Sequence, residues 1–356
     1  MAYNRCIMAA LHFLVPEALV ASDFAPELLR DLSLPNLDRI AALGQDRPVQ
    51  REHATLLAPW QDWLLQGASD PNLAVLAAAA AGVKLPAETQ SGATGFWLAQ
   101  PAHCEIALDH LVLTDPDQLA LSATEAQALA DVAAPLLQAA GWHMTVAAPH
   151  TWLLYRSPNA PPCDVRGPSA ACAEGTNVGP WLPFDRGSGG ALQWQRLATE
   201  VQMTWHSHPV NHAREAANLP AVNFLWLTGT GARNIDGARL TRYARIDAEL
   251  PYLAHHGALP GQAERNPGAP HLVVWHGLIE PARSEHWSLW RNHVRRLDTR
   301  LGSVLEALRA DRIDPLELIL SGQNSLRVVR VARNDTWKFW RRGHAAELIA
   351  DTSDAS

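Results

Sequence analysis

An α/β fold is what this sequence predicts, and three observations carry the prediction. Ile7 to Val15 is a run of strand length that is apolar on both faces, as a strand inside a parallel sheet must be. His271 to Ile279 is a second such run, near the other end of the chain. Around them stand segments with helical periodicity and recognisable start and stop signals. With 356 residues, 47% hydrophobic and 18% charged, the chain can build one large domain or two ordinary ones.

The first run follows Arg5 and invites comparison with an export signal. His12 interrupts it, Pro16 and Glu17 end it, and one positive charge makes a weak leader, so a buried strand is the better reading. Leucine and isoleucine then recur at helical spacing from Leu34 to Gly44, where glycine supplies the stop. Ser122 and Glu125 stand at capping-box spacing ahead of an Ala/Leu-rich run ending at Gly141, which predicts a helix over 122–140. Trp142 to Arg156 reads as two strands around Pro149. Ser157 to Gly190, rich in Pro, Gly, Ser and Asn, reads as a long loop region.

Ala191 to Trp205 is a second helix that must end near His208, because Pro209 disfavours helical geometry before it, and the polar side chains beyond it are expected on a loop that leads into the next strand. A strand over Val222 to Leu227 runs into Gly229-Thr230-Gly231. Behind the His271–Ile279 strand, Trp287, Trp290, Val294, Leu297, Leu301, Val304 and Leu308 form one apolar stripe along a long helix. Two short strands follow, Leu316 to Ser321 and Leu326 to Val331. The tail after about Ala346 is expected to fray.

Composition excludes several functions. A net charge of -7 gives no global cationic surface, so neither nucleic acid nor membrane is expected as a partner. The longest apolar stretch, Leu73 to Val83, is mostly alanine and about half the length that crosses a bilayer. The cysteines (Cys6, Cys104, Cys163, Cys172) form no Cys-x-x-Cys pair, which indicates neither a disulfide framework nor a zinc ribbon and fits the cytoplasm. No cofactor is expected. The 14 tryptophans are the feature that asks for a structural account.

The densest group of chemically capable side chains runs from Glu200 to Glu215 and on to Asn223. His206 and His208 are two residues apart with no third metal ligand in view. His208 and Asn211 could satisfy the backbone of a turn, while Arg214 adds an anion-binding fork. Ligand contact and turn structure both stay open for this group. Gly229-Thr-Gly231 is a weak phosphate signal by itself.

His208-Pro-Val-Asn211 with Arg214, then Leu219-Pro-Ala-Val-Asn223, then Gly229 and Gly231, resembles a segment of the archaeal-type cofactor-independent phosphoglycerate mutases. Glu200, Gln202-Met203, His206 to Asn211, Arg214-Glu215 and Asn223 to Trp226 resemble, more closely, the bacterial RpfE-type regulatory proteins. Leu34 to Gly44 is similar to a helix of the same superfamily, that of alkaline phosphatase. The resemblance implies a three-layer core around a mostly parallel sheet, with halves at 1–115 and 222–345, an inserted cap at 116–221 and a frayed tail at 346–356. It also implies an anion site of His208, Asn211, Arg214 and Asn223, with an anionic small molecule or a protein as partner.

That superfamily transfers phosphoryl groups with two metal ions and a Ser or Thr nucleophile. Here the sequence departs from it. Val15-Pro16-Glu17 stands where an Asp-Gly pair belongs, and Pro59-Trp60-Gln61-Asp62 replaces the nucleophile loop. His276 to His286 offers Glu280, Glu285 and His286 in place of the Asp and Gly-His ligands, and Gln323-Asn324 replaces an Asp-His pair. Neutral amides bind such cations weakly. The implied metal site is therefore degenerate at Pro16, Trp60, Glu280, Glu285, His286, Gln323 and Asn324, with Trp60 filling space. No metal is expected, and a non-catalytic binding or regulatory protein is the reading. The alternative is a phosphotransferase or mutase of altered mechanism, with His206 and His208 as candidate catalytic residues beside Arg214.

Overall fold

The computed structural model describes residues 9–351 except 48, 50, 53–55, 84–94, 108, 115–118, 158, 162, 233–234 and 249–267. Contacts divide the chain into two units. One comprises 1–52, 59–64 and 239–356, the other 53–58 and 65–238.

In the first unit, β1 (Leu11–Val15), the two-residue β2 (Val20–Ala21), α1 (Ala25–Leu28), α2 (Pro35–Leu43), β3 (Gln45–Arg47) and α3 (Pro59–Leu65) come early. The second unit carries α4 (Leu73–Ala80), β4 (Phe96–Ile106), β5 (Leu111–Thr114), α5 (Ala123–Ala139), β6 (Trp142–Ala148), β7 (Thr151–Arg156), α6 (Gly190–His206), α7 (Pro209–Ala216) and β8 (Phe224–Thr228). The chain then returns to the first unit with β9 (Arg245–Ala248), β10 (His271–Val274), α8 (Ile279–Arg283), α9 (Trp287–Arg309), β11 (Leu316–Ser321), β12 (Leu326–Val331), α10 (Ala345–Ile349) and β13 (Ala350–Asp351).

The sheet of the first unit has the order β3-β12-β11-β1-β10-β9. β11, β1, β10 and β9 are parallel neighbours, and β12 and β3 run against them. The fold is thus α/β with a mostly parallel sheet. Alternation along the strands decides the faces. Phe13, Val15, Leu316, Leu318 and Leu320 join Leu37, Ile40, Trp290, Leu297, Leu301 and Leu348 in one core, so α2, α9 and α10 cover that face. His12, Leu14, Glu317, Ile319 and Ser321 stand on the other, where Trp63 of α3 and Tyr243 meet the His12 ring.

The second unit is built on antiparallel pairs, with β4 bonded to β5, β7 and β8 and β7 to β6. Its core absorbs much of the tryptophan excess. Trp97, Trp142 and Trp194 meet edge to face at 4.9 and 5.7 Å, as do Trp152 and Trp205 at 5.7 Å. Such pairs add about 0.5–1.5 kcal/mol each beyond the area they bury.

Three sequence expectations change. The division of the chain differs from boundaries at 115 and 221, because β4, before the expected insert, pairs with β7 inside it and with β8 after it. The tail does not fray at 346: Leu348 and Ile349 are buried, and β13 pairs in parallel with β2. Residues 352–356 lie outside the described residues, as does the part of the first strand before residue 9. The segment after Pro209 is not a loop but helix α7, with His208 as its N-cap and Pro209 in its first turn. Among the described residues no helix is long and apolar enough to cross a membrane.

Candidate functional site at the carboxyl edge of the parallel strands

In an open α/β sheet, ligands sit beyond the carboxyl ends of the parallel strands. In the first unit those ends are Val15-Pro16-Glu17, Val274-Trp275-His276 and Ser321-Gly322. Backbone bonds draw two of them together, the amides of Ala18 and Leu19 donating to the Ser321 carbonyl at 2.7 and 3.0 Å. Glu17 is buried at a φ of 55°, a conformation that costs a non-glycine residue energy and needs surroundings that enforce it. Those surroundings are visible. Arg283 of α8 donates to Glu17 Oε1 at 3.2 Å, and Trp290 Nε1 donates to the Glu17 carbonyl at 3.2 Å.

The remaining degenerate positions lie as follows. Pro16 is buried and offers no donor atom toward a cation. Gln323 and Asn324 are exposed at the tip of the β11–β12 hairpin, closed by the Gly322 amide on the Ser325 carbonyl at 3.1 Å. Asn324 is tied through its carbonyl to Arg51 Nη1 at 3.1 Å, and Arg51 reaches Asp62 of α3 at 3.8 Å. Asp62 also accepts from the Glu52 amide at 3.1 Å. Trp60, in the same helix, is 2% exposed and its Nε1 has no hydrogen-bond partner. Glu280 on α8 and Glu285 and His286 after it are exposed, with His286 at the N-cap of α9.

Among the described residues no three His, Cys, Asp or Glu side chains come together in a way that could hold a metal ion. A proline, a carboxylate taken up by Arg283, exposed amides, and exposed Glu280, Glu285 and His286 that join no three-ligand group are a poor donor set for two divalent cations. The residues described do not fit the implied metal pair.

Two features of this unit escaped the sequence reading. Ser321 is fully buried, and its Oγ has no hydrogen-bond partner. A serine hydroxyl without a hydrogen-bonded base is not an activated nucleophile. The other is a polar cluster on the same face: His12 Nδ1 lies 2.6 Å from Tyr243 Oη, and His12 Nε2 lies 3.3 Å from Glu317. Arg239 stacks over the Trp63 ring at 4.6 Å beside it. Burial holds the His12 imidazole below its ordinary range, Arg239 in the same sense and Glu317 opposing, while burial pushes the Tyr243 phenol up. The only sequence hint was a histidine inside an apolar strand.

The candidate anion site belongs to the second unit, and there the side chains are engaged by protein. Asn211 donates to the carbonyls of Trp205 and Val222, both at 2.9 Å, and accepts from the Val222 amide at 2.7 Å. Arg214, 1% exposed, donates to Pro220 O at 2.8 Å, Glu125 Oε1 at 3.0 Å and Leu119 O at 2.6 Å. Asn223 accepts from the Cys104 amide at 2.7 Å and donates to the Cys104 carbonyl at 2.9 Å. His208 Nδ1 accepts from the Val210 amide at 3.2 Å, and His206 is exposed at the end of α6. These are the bonds of the turn-satisfying reading. The strand that follows, β8, is antiparallel to β4, so it does not present these residues at a parallel-sheet edge. Burial pushes the Cys104 thiol up to about 12, which removes it as a thiolate.

No family model matches the chain, and no curated protein matches it. Solved structures overlay on most of it. The cofactor-independent phosphoglycerate mutase from Thermoplasma acidophilum is 16% identical with a TM-score of 0.40, over 91% of this chain and 90% of that one. The PH0037 protein from Pyrococcus horikoshii is 13% identical with a TM-score of 0.49, over 96% of this chain and 93% of that one.

Proposed function

We propose that this chain is a phosphoglycerate mutase-like protein of the alkaline phosphatase superfamily, akin to the RpfE-type regulatory proteins, that does not carry out metal-dependent phosphoryl transfer. It serves as a binding or regulatory protein in the cytoplasm, with an anionic small molecule or another protein as its ligand. The observation that supports this best is the Glu17–Arg283 pair. The one carboxylate directly after β1, where the resemblance requires a metal ligand, is buried and neutralised by a guanidinium. In this reading Asn211, Arg214 and Asn223 shape the ligand site through the backbone they hold, with His208 at the N-cap of α7. No observed contact favours phosphotransfer through His206 or His208. The test is interconversion of 2- and 3-phosphoglycerate by the purified protein with manganese, magnesium or zinc supplied. The reading predicts no turnover above the buffer blank; turnover that His208→Ala abolishes without lowering the melting temperature supports the alternative.

A further inference from the structure

The tryptophans that the cores do not absorb gather at one place in the first unit. Trp337 is 74% exposed, Phe339 82% and Trp340 66%, in a segment that reads Trp337-Lys-Phe-Trp-Arg-Arg342. Large apolar side chains this exposed and this close mark a contact surface rather than a random surface residue. The segment is also held in shape. Arg39 of α2 donates to the carbonyls of Thr336 at 3.0 Å and Lys338 at 3.2 Å. The Phe339 amide closes on Trp337 O at 2.9 Å and the Arg341 amide on Lys338 O at 3.2 Å. Downstream, a Cβ at Gly343 would stand 2.4 Å from the Ala42 amide nitrogen, so the chain passes directly against α2. The Ala345 amide then donates to Asp38 at 2.7 Å. The aromatic rings therefore stand on a tight, pinned turn and project outward.

The charge around them is lopsided. Between 330 and 344 the sequence carries Arg330, Arg333, Lys338, Arg341 and Arg342 against Asp335 alone, in a chain whose net charge is -7. Asp335 is taken by Lys338 at 2.6 Å, and Arg333 is taken by Asp311 at 2.7 Å, so the excess rests on Arg341 and Arg342. Arg341 and Arg342 are exposed and have no acidic partner among the described residues. The absence of a global cationic surface does not describe this edge.

We infer that the Trp337–Arg342 turn docks on an anionic lipid surface, its indole and phenyl rings entering the headgroup boundary and Arg341 and Arg342 meeting lipid phosphates. A bilayer boundary accepts projecting rings without a preformed socket. Tryptophan is suited to that boundary, with an apolar body and a polar N–H, and uncompensated arginines beside it supply attraction to anionic headgroups. This is peripheral attachment and involves no membrane-crossing helix. It does not depend on whether the carboxyl edge is catalytic.

The full chain is sedimented with phosphatidylcholine vesicles with and without phosphatidylglycerol, and tryptophan emission is recorded. The inference predicts binding only to the vesicles containing phosphatidylglycerol, with a blue shift. Arg341→Gln with Arg342→Gln lowers the bound fraction by at least about tenfold, and Trp337→Ser with Phe339→Ser and Trp340→Ser abolishes it. Both variants keep the wild-type melting temperature, since the altered side chains are exposed. Failure of the wild type to bind anionic vesicles overturns the inference, as does equal binding by either variant. Self-association in vesicle-free solution that the aromatic substitutions remove, without vesicle binding, assigns the rings to a second copy of the chain and overturns it too.

Discussion

Arg214 donates from Nη1 to Oε1 of Glu125 at 3.0 Å, and through that bond α7 is fastened to the first turn of α5. Glu125 is at the same time the acidic member of the capping box, accepting from the Ser122 amide at 2.8 Å while its own amide donates to Ser122 Oγ at 3.2 Å. A guanidinium that the sequence offers to an anion is thus used to hold two helices and two backbone carbonyls.

Arg214→Met is expected to lower the unfolding free energy by about 2–4 kcal/mol, since it orphans the carbonyls of Leu119 and Pro220 and leaves Glu125 without its cation. Urea denaturation measures this. An unchanged midpoint would return Arg214 to the ligand role.

Acid stability should carry the signature of the same carboxylate. Burial alone would raise the Glu125 pKa, but bonds from Ser122 and Arg214 hold it below 4.5. A depressed carboxylate contributes stability above its unfolded value and loses it as pH falls through the folded one. The wild type therefore loses this contribution below about pH 4.5, and the denaturation midpoint of Glu125→Gln should change less over that interval.

A second pH dependence comes from His12. Burial, the largest effect, holds its folded pKa below 6.5, and the unfolded chain then binds the proton more readily. Its contribution is complete above 6.5 and is lost as pH falls toward the folded value. Denaturation midpoints across that interval should fall for the wild type and fall less for His12→Gln. An identical slope in the two proteins would place the titration elsewhere.

Breaking the buried Glu17–Arg283 pair from one side should be costly. Arg283→Met is expected to destabilise by about 3–5 kcal/mol, because it leaves a buried carboxylate unpaired. Glu17→Met with Arg283→Met should cost at least about 1 kcal/mol less than the sum of the single changes, as contacting residues do. Additive effects in a double-mutant cycle would mean that the two groups are not coupled.

Much of this architecture is legible in the residues, and the gaps have physical causes. The capping box of Ser122 and Glu125, the stripe from Trp287 to Leu308 and the strand pair 316–321 and 326–331 are local patterns, and the structure has them at those places. Pro209 was misleading because proline both ends one helix and favours the first turn of the next, and His208 is not among the usual capping residues. Which sheet β8 joins is settled by pairing with β4 more than a hundred residues earlier, and no local pattern encodes that. The tail reads as frayed in sequence because nothing near it reveals that Leu348 and Ile349 are covered by the core of the first unit. Of the candidate site, the residue types at the carboxyl edge were readable. That Glu17 is spent on Arg283 was not, since the two lie 266 residues apart.

On the function proposed, this carboxyl edge assembles no two-metal phosphoryl-transfer centre. The most direct measurement is the metal content of the purified protein after dialysis against manganese or zinc, with phosphoglycerate turnover followed on the same sample. The expected result is no stoichiometric metal and no turnover. Two tightly held equivalents per chain, with turnover that a chelator removes and the metal restores, would contradict it.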